Sequence, residues 1–164
     1  MAINRESSND VSFNLYLKRD GEYVTNKNGA KDLQDFVMAC TIMESLGAAA
    51  IEAEIVIQDS AGLINSLTGS ETWVISFNTG NNEASYSLIA YNIDSRARNG
   101  NSEAYIVQCV SAEFLKNETT SVFGSSKKLF GKNTKSKPVV EQLLKKTLGT
   151  AKNVFVEESK NNHT

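Results

Sequence analysis

Period-two alternation recurs along this chain and constrains its fold more than any other feature. Residues 11–17, VSFNLYL, set Val11, Phe13, Leu15 and Leu17 on one face against Ser12, Asn14 and Tyr16 on the other. Successive side chains of a strand point to opposite faces, so the stretch reads as a half-buried strand. Ile51, Ala53, Ile55 and Ile57 alternate in the same way with Glu52, Glu54, Val56 and Gln58, and Glu71 to Asn78 turns Trp73, Ile75 and Phe77 inward. Tyr86 to Ile93 and Tyr105 to Val110 add two more strands. Many short strands between turn signals predict a mainly β fold, an antiparallel barrel or sandwich with one or two helices. Its expected core contains Val11, Phe13, Leu15, Ile55, Ile57, Trp73, Ile75, Phe77 and Val107.

The connections carry their own chemistry. Asp20-Gly21 suits a hairpin that needs positive φ, with a weak return strand over Glu22 to Thr25. Leu33 to Leu46 is apolar on both phases, which fits a helix or a two-sided strand, and the β-rich neighbours favour the strand. Asp59-Ser60 offers an N-cap to a short helical turn carrying Leu63, Ile64 and Leu67, which Gly69 ends. Asp94 to Ser102 reads as a polar loop bearing Arg96 and Arg98.

The character changes at Ser111, where Ser111 and Glu113 open a predicted helix running to about Val122. Pro138 then stands in the first turn of a second helix, striped by Val139, Val140, Leu143, Leu144 and Leu148 and closed by Gly149. Asn153 to Glu157 reads as the start of another strand. The expected organisation is a β domain over residues 1–123, a basic loop over 124–137, and a helix with its following strand over 138–164. That last part is expected to pack on the same domain or lead into a second one.

Several function classes are short of side chains. The one histidine, His163, stands two residues from the polar end, a poor base for a histidine-dependent catalytic site. Cys40 and Cys109 sit in strand patterns with no second ligand at metal spacing, and Cys109 shares the inward phase of Tyr105 and Val107. Glu52 and Glu54 lie on the polar phase of a strand and read as a solvated face rather than a glycosidase pair. No apolar run approaches the ~18 residues that span a bilayer, and MAINRESSND has no signal-peptide core. No cofactor or metal is expected.

Charge is divided along the chain. Residues 1–110 hold seven basic and fourteen acidic side chains, while residues 111–156 hold nine lysines and three glutamates. Five of those lysines fall in GSSKKLFGKNTKSKP, Gly124 to Pro138, with no acid among them. A P-loop is ruled out, because Gly131-Lys132 is followed by Asn133 and Gly124 stands too far upstream. A solvated connection, a nucleic-acid arm and a loop docking on an acidic subunit all fit these residues. Phe130 alone is too little aromatic surface for a single-strand stacking platform.

Two stretches are more specific. In MESLGAAAIEAEIVIQDSAGLINSLTGSETWVISF, Met43 to Phe77, a hydrophobic strand leads to Asp59-Ser60, Leu63-Ile64, Leu67 and then Gly69-Ser70-Glu71 before another strand. This order resembles the opening domain of baseplate hub proteins from contractile-tailed phages of the T-even type. YSLIAYNIDSRARNGNSEAYIVQCVSAEFLKNETTSVFGSSKK is similar to that family's paired strands, Ser-x-Glu helix and basic loop, through Tyr105, Ser111, Glu113, Asn117 and Phe123. The resemblance implies a non-enzymatic tail-tube domain in the virion baseplate, made in the host cytoplasm. Such domains assemble side by side into a ring, as a hexamer or as a trimer of longer two-domain chains, between tail tube and spike proteins. DNA would pass through the channel without specific binding, and no membrane would be involved. Lysines facing that channel would grip phosphate. Lys127, Lys128, Lys132, Lys135 and Lys137 are therefore expected away from the lumen, at a contact between subunits.

Overall fold

A computed structural model describes residues 11–25, 29, 31–48, 50–78, 82–120 and 135–160. They fall into two compact units, residues 1–112 and 113–164.

The first unit is one antiparallel sheet of seven strands. In chain order these are β1 (Ser12–Arg19), β2 (Glu22–Tyr23), β3 (Val37–Met43), β4 (Glu52–Asp59), β5 (Thr72–Asn78), β6 (Glu83–Asn99) and β7 (Ser102–Ser111). Their order across the sheet is β2-β1-β5-β6-β7-β4-β3. The fold is mainly β, as the alternation predicts. The sheet does not close into a barrel, since β2 and β3 end it on opposite sides. It curls instead, in the manner of a sandwich, and a single turn of 3-10 helix at Gln34–Phe36 touches both β1 and β4.

Curling lets alternate residues of distant strands share one core. Leu15 and Leu17 of β1, Ala53, Ile55 and Ile57 of β4, Trp73 and Ile75 of β5, Leu88 of β6, and Tyr105, Val107 and Cys109 of β7 form a single buried cluster. Burying each large aliphatic side chain is worth about 1.5–3 kcal/mol, so this cluster is what holds the sheet in its curl. Phe13 and Phe77 are directly paired across β1 and β5, pack on the cluster's margin, and bring their rings to 5.3 Å. Val11 is a correction. It lies before β1 begins and is 59% exposed, because no partner strand reaches back to cover it.

Other expectations shift in extent. The Asp20-Gly21 hairpin is present, with φ of 51° and 86°, but only Glu22–Tyr23 pairs as strand. The Val24 amide still donates to the Leu17 carbonyl at 2.8 Å. The two-sided reading of residues 33–46 is resolved by a bulge: Val37 pairs with Ile57 and Ala39 with Val56, leaving Met38 extra. One inserted residue reverses the phase. Val37, Cys40 and Ile42 thus all pack on the core, while Met38 and Met43 face out.

The polar loop expected over Asp94 to Ser102 is strand. β6 runs on to Asn99 and turns at Gly100 into β7, with Arg98 opposite Glu103 and Asn99 opposite Ser102. Two register shifts, at Ala90/Asn92 and Asp94/Ala97, break the alternation that would have marked it. Arg96 pairs with Glu103 at 2.7 Å and helps hold this solvated hairpin together.

In the second unit, α1 (Ala112–Thr119) is shorter than expected, and Val122 lies outside the described residues. Helix α2 (Ser136–Gln142) widens into a π turn at Leu143–Thr147 and ends at Gly149, φ 65°. Its stripe of Val139, Val140, Leu143, Leu144 and Leu148 is half-buried. Asn153 to Glu157 joins no ladder among the described residues, which corrects the expected strand.

Candidate functional site

Of the residues that carry the resemblance, those of the first stretch lie on or beside one loop of the first unit, Ser60–Ser70, whereas Tyr105 and Ser111 lie on β7, Glu113 and Asn117 on α1, and Phe123 outside the described residues. The loop is clamped at each end by a buried carboxylate. Asp59 closes β4, and its carboxylate accepts the amides of Ala61 (3.0 Å), Gly62 (2.7 Å) and Ile64 (2.9 Å). That acceptance lets Leu63–Ser66 wind as a 3-10 turn behind Gly62, whose φ is 77°. Burial alone would raise the Asp59 pKa; the amide hydrogen bonds outweigh it and hold the carboxyl below its ordinary value.

Glu71 closes the loop from the other side. Its carboxylate accepts the Thr68 amide (2.9 Å) and hydroxyl (2.8 Å), the Gly69 amide (2.9 Å) and Arg19 Nε (3.0 Å). The Arg19 guanidinium also donates to the Ser66 carbonyl at 2.7 Å, so one cation ties β1 to the end of the 3-10 turn and to the acid that closes the loop. Burial pushes the Glu71 pKa up, but Arg19 and Thr68 overcome it and bring the carboxyl down to about 2. Both acids are thus ionised and fully occupied as acceptors, a poor state for a general base. Tyr105 lies near Asp59; burial, then the charges of Asp59 and Glu103, raise its pKa, and its hydroxyl has no hydrogen-bond partner among the described residues.

The remaining candidate chemistry is dispersed. Glu52 and Glu54 are exposed on β4. Cys40 and Cys109 are free thiols, pushed up by burial to about 11 and about 12. No group of three His, Cys, Asp or Glu is placed to hold a metal ion among the described residues. Nor is any described helix long and apolar enough to cross a membrane.

Of the five candidate interface lysines, Lys127, Lys128 and Lys132 lie outside the described residues, as does His163. Lys135 and Lys137 flank the start of α2. Lys135 pairs with Glu158 at 3.2 Å and Lys137 with Glu141 at 4.0 Å, one helical turn on. Glu113 accepts the Thr150 hydroxyl at 2.8 Å and pairs with Lys152 at 2.9 Å, while Lys116 donates to the Gly149 carbonyl at 2.8 Å. These contacts fasten α1 to the segment after α2.

One feature escaped sequence reasoning, the outer edge of β3. Val37–Met43, VMACTIM, has no charged residue, pairs only with β4 among the described strands, and exposes Met38 (64%) and Met43. The apolar run was visible; that β3 would stand at the end of the described strand order was not, because sequence does not state strand order. No known protein-family profile matches the chain, and no curated protein is detectably similar to it.

Proposed function

We propose that the chain is a structural component of a phage tail baseplate hub or tail tube, working by assembly around a channel rather than by catalysis. The observation that carries this reading is the outer edge of β3 on an open, curled sheet, which no described strand pairs. Soluble proteins generally blunt a sheet edge with charge, proline or brevity, because an unpaired edge templates association. The Met43–Phe77 resemblance supplies the particular setting, with its Asp-Ser, Leu-Ile and Gly-x-Glu order around the clamped loop. Ring assembly brings copies together by self-association, and tube and spike proteins would meet the ring's two faces. Electron microscopy of the concentrated protein, alone and added to tail preparations, tests the proposal. Rings with a central channel are the expected result. Particles that stay monomeric and never join tails would sink it.

A second reading, a small nucleic-acid-binding module, is favoured by the five lysines of residues 124–138. Phosphate binding of that kind falls steeply with salt, so titrating duplex DNA at rising ionic strength separates the two readings.

A further inference from the structure

Asn153–Glu157 belongs to no helix or ladder in the second unit and is anchored at both ends. Lys135 holds Glu158 at 3.2 Å, and the Ser136 amide donates to Ser159 Oγ at 3.1 Å. At the other end the Lys145 ammonium donates to the Lys152 carbonyl. Val154 and Val156 are half-buried, whereas Phe155 is 92% exposed. The alternation is that of a strand, yet no backbone group of residues 153–157 is bonded to another described residue. A β-forming run with an exposed phenylalanine and open backbone is a donor without an acceptor. In the first unit the outer edge of β3 offers an acceptor that no described strand fills. The opposite edge, β2, is only two residues long and so is protected by brevity.

We propose that Asn153–Glu157 of one copy adds as an antiparallel strand to the outer edge of β3 in a second copy. Charge chooses the register. Setting Lys152 opposite Glu44 places Val154 by Ile42, Phe155 by Thr41 and Val156 by Cys40. Both valines then fall on the inward face beside Ile42 and Cys40, which already pack on the core. Phe155 falls on the outer face, where the exposed Met43 side chain is within diagonal reach. A register one residue away would set Phe155 inward and turn both valines to solvent. Lys152 also pairs with Glu113 in its own copy, and an ammonium with three donors can serve both acids. Because donor and acceptor are different surfaces, the contact is heterologous, and repeated addition closes a ring or extends as a filament. The inference rests on the assembly reading only in supposing that copies meet.

Sedimentation equilibrium of the full chain over a concentration series tests it, with two variants and one cross-link. Val156→Pro removes a donor amide from a segment that lies in no ladder, and Thr41→Lys puts a charge on the outer edge at an exposed position. Each is expected to weaken self-association at least tenfold while the dichroism spectrum is kept. Mixing a Thr41→Cys chain with a Phe155→Cys chain is expected to give a disulfide-linked dimer on mild oxidation. A chain that is monomeric at every concentration overturns the proposal. So does self-association that both variants leave intact, and in that case assembly itself survives through another surface. The ring reading fails separately if strand addition is found but the particles are open filaments that never join tails.

Discussion

Two buried acids bracket the Ser60–Ser70 loop, and they differ in what satisfies them. Asp59 is answered by backbone amides, Glu71 by a cation and by Thr68. The Glu71 carboxyl ordinarily titrates at 4.5 and is held near 2 in the fold. A depressed folded pKa adds stability above the unfolded value and loses it on acidification. Stability is therefore expected to be level above about pH 4.5 and to fall as pH drops from 4.5 toward 2. Arg19 is partly exposed, which tempers the effect to about 2–3 kcal/mol. Urea unfolding at a series of pH values would show this, and Glu71→Gln should flatten that limb. Tyr105 makes the opposite prediction. Its buried hydroxyl lies near Asp59 but makes no hydrogen bond of good geometry among the described residues, so Tyr105→Phe removes a desolvated polar group and should leave stability unchanged or raise it by up to about 1 kcal/mol. A loss above that size would mean that Asp59 accepts the phenol proton.

At the scale of elements, the hairpin joining β6 and β7 depends on Gly100. Its φ is 60°, and a Cβ there would meet nothing within 4 Å, so substitution is a test of backbone conformation alone. Gly100→Ala is expected to cost about 1 kcal/mol in chemical denaturation. Gly47→Ala is the control. Gly47 has no positive φ and an added Cβ would lie 3.8 Å from Ser45 Oγ, so little change is expected. The same hairpin shows why some of the fold was legible and some was not. β1 and β4 keep strict alternation, and β5 and β7 keep it over the inward residues Trp73, Ile75, Tyr105, Val107 and Cys109, so these core residues follow directly from the pattern. β6 carries two register shifts and a largely exposed end, so its second half reads as loop although Asn99-Gly100 is a recognised hairpin dipeptide. In β3 a single bulge makes both phases apolar, and no periodicity reveals which face wins. Asn153–Glu157 has a strand's sequence, but its pairing partner is not specified locally. Of the clamped loop, Asp59 as a cap was visible from its position before Leu63 and Ile64. Glu71 was not, because its partner Arg19 is 52 residues distant in sequence.

For the whole molecule, charge is what distinguishes the two ends of the chain. Residues 1–110 carry a net −7 and residues 111–156 a net +6, so copies meeting at random attract when opposite segments face each other. Lys135 and Lys137 already have acidic partners within their own unit, at 3.2 and 4.0 Å. Pairs this exposed are worth about 0–1 kcal/mol, too little to hold an assembly and little enough to be exchanged for others. Lys127, Lys128 and Lys132 are the cleaner probes. Replacing those three with serine lowers the basic segment to a net +3 without touching either ion pair. Association of the copies should then slow and lose most of its salt dependence, since steering acts on the encounter rate more than on the final contact. The melting temperature should stay within a degree or two, because the buried cluster is built from apolar side chains of residues 15–109. Stopped-flow light scattering at several salt concentrations measures the first outcome, and calorimetry the second. If association is unchanged while affinity for duplex DNA disappears, the lysines serve phosphate, and the nucleic-acid reading replaces assembly as the function of this segment.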